Sequence, residues 1–188
     1  MKLFLFDQTG KLGKHLEALK SQPIIPYDKS SLPEKTSSIQ MTTDKSLQAL
    51  QSQILANYKI FPSHIMTYLT QWYHESREMR AGDTIVQQVY LPPVQSFSQK
   101  LIFGVRIFEI INESDRVGFS YETIEGHVER GISTFTLEKT TPNRIIFKIR
   151  TFSQPEILLS RVMGPVFAVP YQEYCTRQAL KNVKELAE

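Results

Sequence analysis

The stretch LIFGVRIFEIINESDRVGFSYETIEGHVERGISTFTLEKTTPNRIIFKIRTF, residues 101–152, decides how this chain folds. It has no helical period. β-branched and aromatic residues dominate it, with an approximate alternation of apolar and polar positions. Turn-forming residues cut it at Asn112-Glu113-Ser114-Asp115, at Glu125-Gly126-His127 and at Thr141-Pro142-Asn143. The pattern predicts strands over Lys100–Asn112, Arg116–Thr123, Gly131–Lys139 and Arg144–Phe152. Short turns between consecutive strands require antiparallel pairing, so the segment is a meander.

Working upstream, Thr84–Leu91 reads as another strand, closed by Pro92-Pro93. Ahead of it, Pro62-Ser63 opens a predicted helix running from His64 to about Arg77, with Ile65, Leu69 and Trp72 on one face. Thr43-Asp44 is a predicted N-cap for a helix carrying Leu47, Leu50, Ile54 and Leu55. Residues 21–43 contain three prolines and many serines. They read as an extended connector, expected to be the most mobile segment. Lys2–Phe6 is a predicted strand, and Lys11–Lys20 a helix with Leu12, Leu16 and Leu19 on one face.

Downstream, Ser153 is placed to cap a helix with Pro155 and Glu156 in its first turn. Leu158, Leu159, Val162, Val166, Phe167, Tyr171 and Tyr174 give the region a broad apolar face. Pro165 and Pro170 are expected to break it, leaving a short helix to about Met163 and a longer one to about Leu186. The fold class is therefore α+β: a curved antiparallel sheet packed on a long C-terminal helix. A sheet with one apolar face needs a cover, and the last helix supplies it, with room for a cavity between them.

Composition narrows the function classes. The chain has 188 residues, which suits a single domain, 1–188. Twenty-two basic against nineteen acidic side chains leave a net charge of +3, with no basic run interleaved with aromatics, so no nucleic acid is expected as a partner. One cysteine, Cys175, excludes an internal disulfide and a cysteine-based zinc site. The four histidines, His15, His64, His74 and His127, lack metal-ligand spacing, so no metal is expected, and no cofactor. The opening MKLFLFDQTGK stops being apolar at Phe6 and has no small-residue cleavage site, so it is not read as a leader. With no membrane span in the sequence, a cytoplasmic location is the expectation.

GFSYETIEGHVERG, FTLEK and FKIRTFSQPEILLSRVMGP together resemble the domain of unknown function 1990 family, with its UPF0548-like members. Gly118, Phe119, Thr123, Gly126, His127, Gly131, Phe135, Phe152, Ser153 and Pro155 occupy the positions of its motif. YKIFP, Trp72 and the two prolines of LPPVQ look like the family too, and the resemblance covers about residues 54–182. The chain departs from the pattern after the second glycine, where Gly131-Ile132-Ser133 stands in place of acidic residues. The family is similar to the START/birch-pollen-allergen (SRPBCC) superfamily. The resemblance thus implies a helix-grip fold enclosing a ligand cavity, in accord with the element order.

The candidate ligand-binding residues are His127, Tyr121, Arg150, Trp72 and Glu122. His127 sits beside a glycine in a turn, where it can lock the backbone, contact a ligand or act as acid or base. Catalysis would require an orienting carboxylate, Glu122 or Glu129, within hydrogen-bond reach of the ring. Trp72 suits a core as well as a pocket. Strand alternation sends Arg106 and Arg150 either to solvent or to a polar cavity wall. Gly126 and Gly131 read as backbone devices, a positive-φ turn and a strand-start or bulge. No phosphate loop is formed, because a strand rather than a helix follows. The leading expectation is a protein binding a small hydrophobic ligand. The alternatives are an enzyme of unknown reaction using His127, or an interaction module using the connector or a sheet edge.

Overall fold

The computed structural model describes residues 2–93, 98–156 and 165–188, with side chains from residue 170 onward in the last segment. The strands are β1 (Lys2–Phe4), β2 (Glu34–Thr42), β3 (Met66–Thr70), β4 (Thr84–Leu91), β5 (Gln99–Asn112), β6 (Arg116–Thr123), β7 (Glu129–Thr141) and β8 (Arg144–Pro155). The α-helices are α1 (Leu12–Lys20), α2 (Leu47–Leu50), α3 (Gln71–His74) and α4 (Pro165–Ala187). A π-turn over Gln51–Leu55 continues α2.

The eight strands form one antiparallel sheet, seven of them in the order β2-β8-β7-β6-β5-β4-β3 and β1 added beside β5. The fourteen-residue β5 carries β1 beside its first part and β6 beside its second. Register shifts between Ile107 and Glu109 and between Lys139 and Thr141 break the ladder locally, the kind of irregularity that bends a strand. The meander from β5 to β8 stands where the sequence puts it, and β6 has the predicted bounds.

The two faces of the sheet are covered differently. α1 lays Leu12 and Leu16 against Val86 and Ile102 on one face. The other face holds the main core, in which Phe119, Phe135, Phe147, Leu137 and Val117 of the meander are fully buried. α4 joins this core through Ala179, Val183 and Ala187, packing against β2 and β8. Side chains from the loop after β2 satisfy its last carbonyls: Thr43 Oγ1 donates to Ala187 O at 2.8 Å and Lys45 Nζ to Leu186 O at 2.9 Å. Midway, Asn182 Nδ2 donates to the carbonyls of Lys59 and Ile60, both at 3.0 Å. Nearer its start, the Tyr171 hydroxyl donates to the Tyr90 carbonyl of β4 at 2.7 Å.

Five local expectations need correction. The N-cap expected at Thr43-Asp44 is instead Ser46, whose hydroxyl accepts from Ala49 N–H at 3.1 Å ahead of α2. The predicted helix over 64–77 is instead strand β3 followed by the four-residue α3, capped by the Thr70 side chain. Pairing with β4, from Met66 opposite Val89 to Thr70 opposite Ile85, outweighs the helical spacing of Ile65, Leu69 and Trp72. The connector 21–43 contains the nine-residue edge strand β2, paired with β8 along its length. Ile25 N–H also donates to Thr123 O at 3.0 Å, tying the stretch before β2 to the end of β6. Ser153 and Pro155 do not open a helix, because β8 continues through Pro155. Pro170 does not break α4 but lies exposed within it. It removes one hydrogen bond near the helix start, a local loss that the remaining turns absorb. The predicted short helix with Leu158, Leu159, Val162 and Met163 lies outside the described residues, as do Arg161 and the side chains of Val166 and Phe167.

Gly131 has φ +141°, and a Cβ there would collide with the Phe152 carbonyl of β8. Gly131→Ala should therefore lower stability by about 2 kcal/mol, measured by urea denaturation. An unchanged midpoint would show that the strand can shift to accept a side chain.

Candidate functional site

The connection from β6 to β7 is built around its own hydrogen bonds. The Thr123 hydroxyl accepts from Gly131 N–H at 3.0 Å, and His127 N–H donates to Ile124 O at 3.0 Å. Gly126, with φ +83°, supplies the left-handed turn residue. This bend buries His127, whose ring meets the Phe103 ring edge-to-face at a centroid distance of 4.4 Å. Its Nδ1 lies 3.0 Å from both the N–H and the carbonyl of Glu129. One of these contacts is used in each neutral tautomer.

Beside this bend lies a cavity of about 590 Å³, bounded by the sheet on one side and α4 on the other. Ile65, Val89, Leu101, Phe103, Phe135 and Ile149 give it apolar walls. Its polar lining includes Tyr121, His127, Glu129, Ser133, Thr151 and Ser153 on the sheet side and Cys175 on α4. Strand periodicity explains the arrangement. Glu129, Ser133 and Phe135 share a face of β7, as Ile149, Thr151 and Ser153 do on β8. The Ser133 and Thr151 hydroxyls are 3.2 Å apart. Above them, Gln87 Nε2 donates to the buried Tyr58 hydroxyl at 2.6 Å.

Burial sets the protonation states here. Loss of solvent pushes the His127 pKa down to about 4, so the ring is neutral at pH 7. It pushes the Tyr121 phenol up to about 12 and the Cys175 thiol up to about 11. Both are protonated at neutral pH, and Cys175 is not a poised nucleophile. Burial also raises the Glu129 carboxyl, partly offset by a hydrogen bond from Ser153 Oγ at 3.3 Å.

Of the five residues proposed from sequence, two meet at the cavity. Tyr121 and His127 line it. Arg150 does not: it is half exposed on the other face of β8, pairing with Glu34 at 2.7 Å and stacking over Phe152. Alternation leaves it to solvent, the simpler of its two options. Glu122 faces away from the cavity as well and accepts a 2.6 Å hydrogen bond from the Tyr27 hydroxyl. Trp72 is buried, its indole N–H donating to Ala56 O at 2.7 Å, and borders a separate hollow with Arg77 and Ile110. The orienting carboxylate that acid/base catalysis needs is not in place, since among the described residues the His127 ring hydrogen-bonds only to the Glu129 backbone.

The cavity groups that sequence reasoning passed over are Glu129 as a lining residue, with Ser133, Thr151 and Ser153. Period-two spacing from Phe135 back to Glu129 carried that signal. Among the described residues, no cluster of His, Cys, Asp and Glu could hold a metal ion. No described helix is long and apolar enough to cross a membrane.

A curved antiparallel sheet gripping a C-terminal helix, with a cavity between them, is a helix-grip, START-like fold. The chain belongs to the family described as Domain of unknown function (DUF1990), which it matches over residues 38–182. The match begins within β2, upstream of the residue 54 expected from motifs alone. A UPF0548 protein from Deinococcus radiodurans is 36% identical over 61 residues, which cover 32% of this chain and 31% of that relative. A hypothetical protein from Helicobacter pylori superposes with a TM-score of 0.60 at 9% identity, covering 89% of this chain and 98% of the other. A START superfamily protein from Mycobacterium smegmatis superposes with a TM-score of 0.51 at 12% identity, covering 81% and 98%. At these identities the structural likeness concerns the fold alone.

His127 provides a test of the burial. Its folded pKa, about 4, lies below the ordinary value of 6.5, so the unfolded chain binds its proton first as pH falls. The contribution of neutral His127 is intact above pH 6.5 and is lost progressively down to about pH 4. The depression corresponds to a loss on the order of 3 kcal/mol. In NMR titration the His127 ring should show a midpoint near 4, and a midpoint near 6.5 would place the ring in solvent.

Proposed function

We propose that this protein binds a small, largely apolar molecule in the cavity between the sheet and α4, and that it does so in the cytoplasm, where its one cysteine stays reduced. The observation that supports the reading is the cavity itself. A volume of about 590 Å³ falls in the range of roughly 300–1,000 Å³ usual for ligand pockets. Its walls have the matching character, an apolar lining with a few placed polar groups. A domain selected only for stability would fill such a space, because unfilled volume costs packing energy. Tyr121 and His127 supply hydrogen-bonding groups that need not ionise at neutral pH to meet a ligand.

Native mass spectrometry of the purified protein should reveal a co-purifying small molecule or, after extraction, an added apolar one held at one per chain. Val89 lines the cavity and is buried. Val89→Phe places a ring in that space and should weaken binding of a fluorescent apolar probe by about tenfold or more. The thermal midpoint should fall by no more than a few degrees, since the ring enters a void rather than a packed core. Equal binding by the variant and the parent would sink the reading.

A further inference from the structure

Among the described residues the cavity is lined by one carboxyl group that is not exposed. Lys35, Glu173 and Arg177 also border it but are exposed, standing at its rim. Glu129 is different. It is half-buried at the cavity wall, where loss of solvent raises its carboxyl pKa. Among the described residues its carboxylate accepts one hydrogen bond, from Ser153 Oγ at 3.3 Å, and forms no ion pair. His127 does not neutralise it, because the ring is uncharged at neutral pH and spends its Nδ1 on the Glu129 backbone. Lys35 draws the carboxyl pKa down from a distance without pairing, and burial still leaves it raised.

An ionised carboxylate wants several donors, and a buried one without them costs stability. Glutamine, of nearly the same size, would avoid that cost. The remaining acceptor capacity of the carboxylate, beyond what Ser153 uses, is available to whatever occupies the cavity.

Resting on the reading of this space as a ligand cavity, we propose that Glu129, steadied by Ser153, is its specificity anchor, and that the ligand is an amphiphile with an apolar, aromatic-compatible body and a protonated amine. The ammonium group supplies the charge and the donors that the carboxylate lacks. The apolar body lies against Phe103, Phe135 and Val89. A charge-assisted pair formed away from bulk water is stronger than a neutral hydrogen bond and discriminates against an alcohol of the same shape.

Three probes of matched shape test this: phenylbutylamine, phenylbutanol and phenylbutyrate, titrated calorimetrically into the full chain. The amine should bind at least about tenfold more tightly than the alcohol. In Glu129→Gln that preference should vanish, with the alcohol affinity changing by less than about threefold and the thermal midpoint of the empty protein equal or higher. A lowered midpoint would make Glu129 a structural residue and overturn the proposal. Ser153→Ala, which removes the single side-chain donor, should reduce the amine preference partially and so tests the anchor independently of the first variant. If the alcohol binds but the amine is not preferred, or if the carboxylate probe binds best, the anchor falls while the cavity reading stands. If none of the three binds, both fall.

Discussion

The cavity exists because α4 is fastened to the rest of the protein at several points along its length. Thr43 and Lys45 hold its last carbonyls, Asn182 bonds the carbonyls of Lys59 and Ile60, and the Tyr171 hydroxyl reaches the Tyr90 carbonyl. Toward its C-terminal end, Ala179, Val183 and Ala187 are fully buried, with small side chains that let the helix sit close. Toward Tyr171, the helix spans the open space instead. These directional bonds fix the helix where nonspecific apolar attraction would draw it onto the sheet. Each is modest singly, about 1 kcal/mol net, but together they define one docking position.

Much of this was legible in the chain. The meander was readable because β-branched and aromatic residues repeat between turn signals, and only one pairing scheme suits such short connections. Helix α1 was equally plain from Leu12, Leu16 and Leu19. β2 was not, because Thr36, Ser38 and Gln40 are exposed at a sheet edge and Ser37, which shares the inward face with Ile39 and Met41, is polar too, leaving those two as almost the whole apolar signal. β3 was misread because five residues of strand beside a four-residue helix imitate helical spacing. Nothing local distinguishes the two; the register with β4 decides.

The site divides in the same way. His127 and Tyr121 could be picked out because each is unusual for its position, a ring in a tight turn and a phenol on an inward strand face. Arg150 and Glu122 were chosen for their chemistry, yet they fall on the opposite strand faces from the cavity-lining residues, and their partners, Glu34 and Tyr27, lie far away in sequence. Glu129 was considered only as a partner for the histidine. It is better placed as a wall of the cavity, two residues from the Gly131 kink that lets β7 approach β8.

Because α4 forms one wall of the space and the sheet the other, an occupant is a cross-link. Any molecule held there touches both layers at once and adds contacts that the empty protein does not possess. The occupied state is then the harder one to unfold, by an amount that grows with the logarithm of ligand concentration over its dissociation constant. Under the proposed binding, the strength of the grip on the helix would depend on the ligand as well as on the sequence.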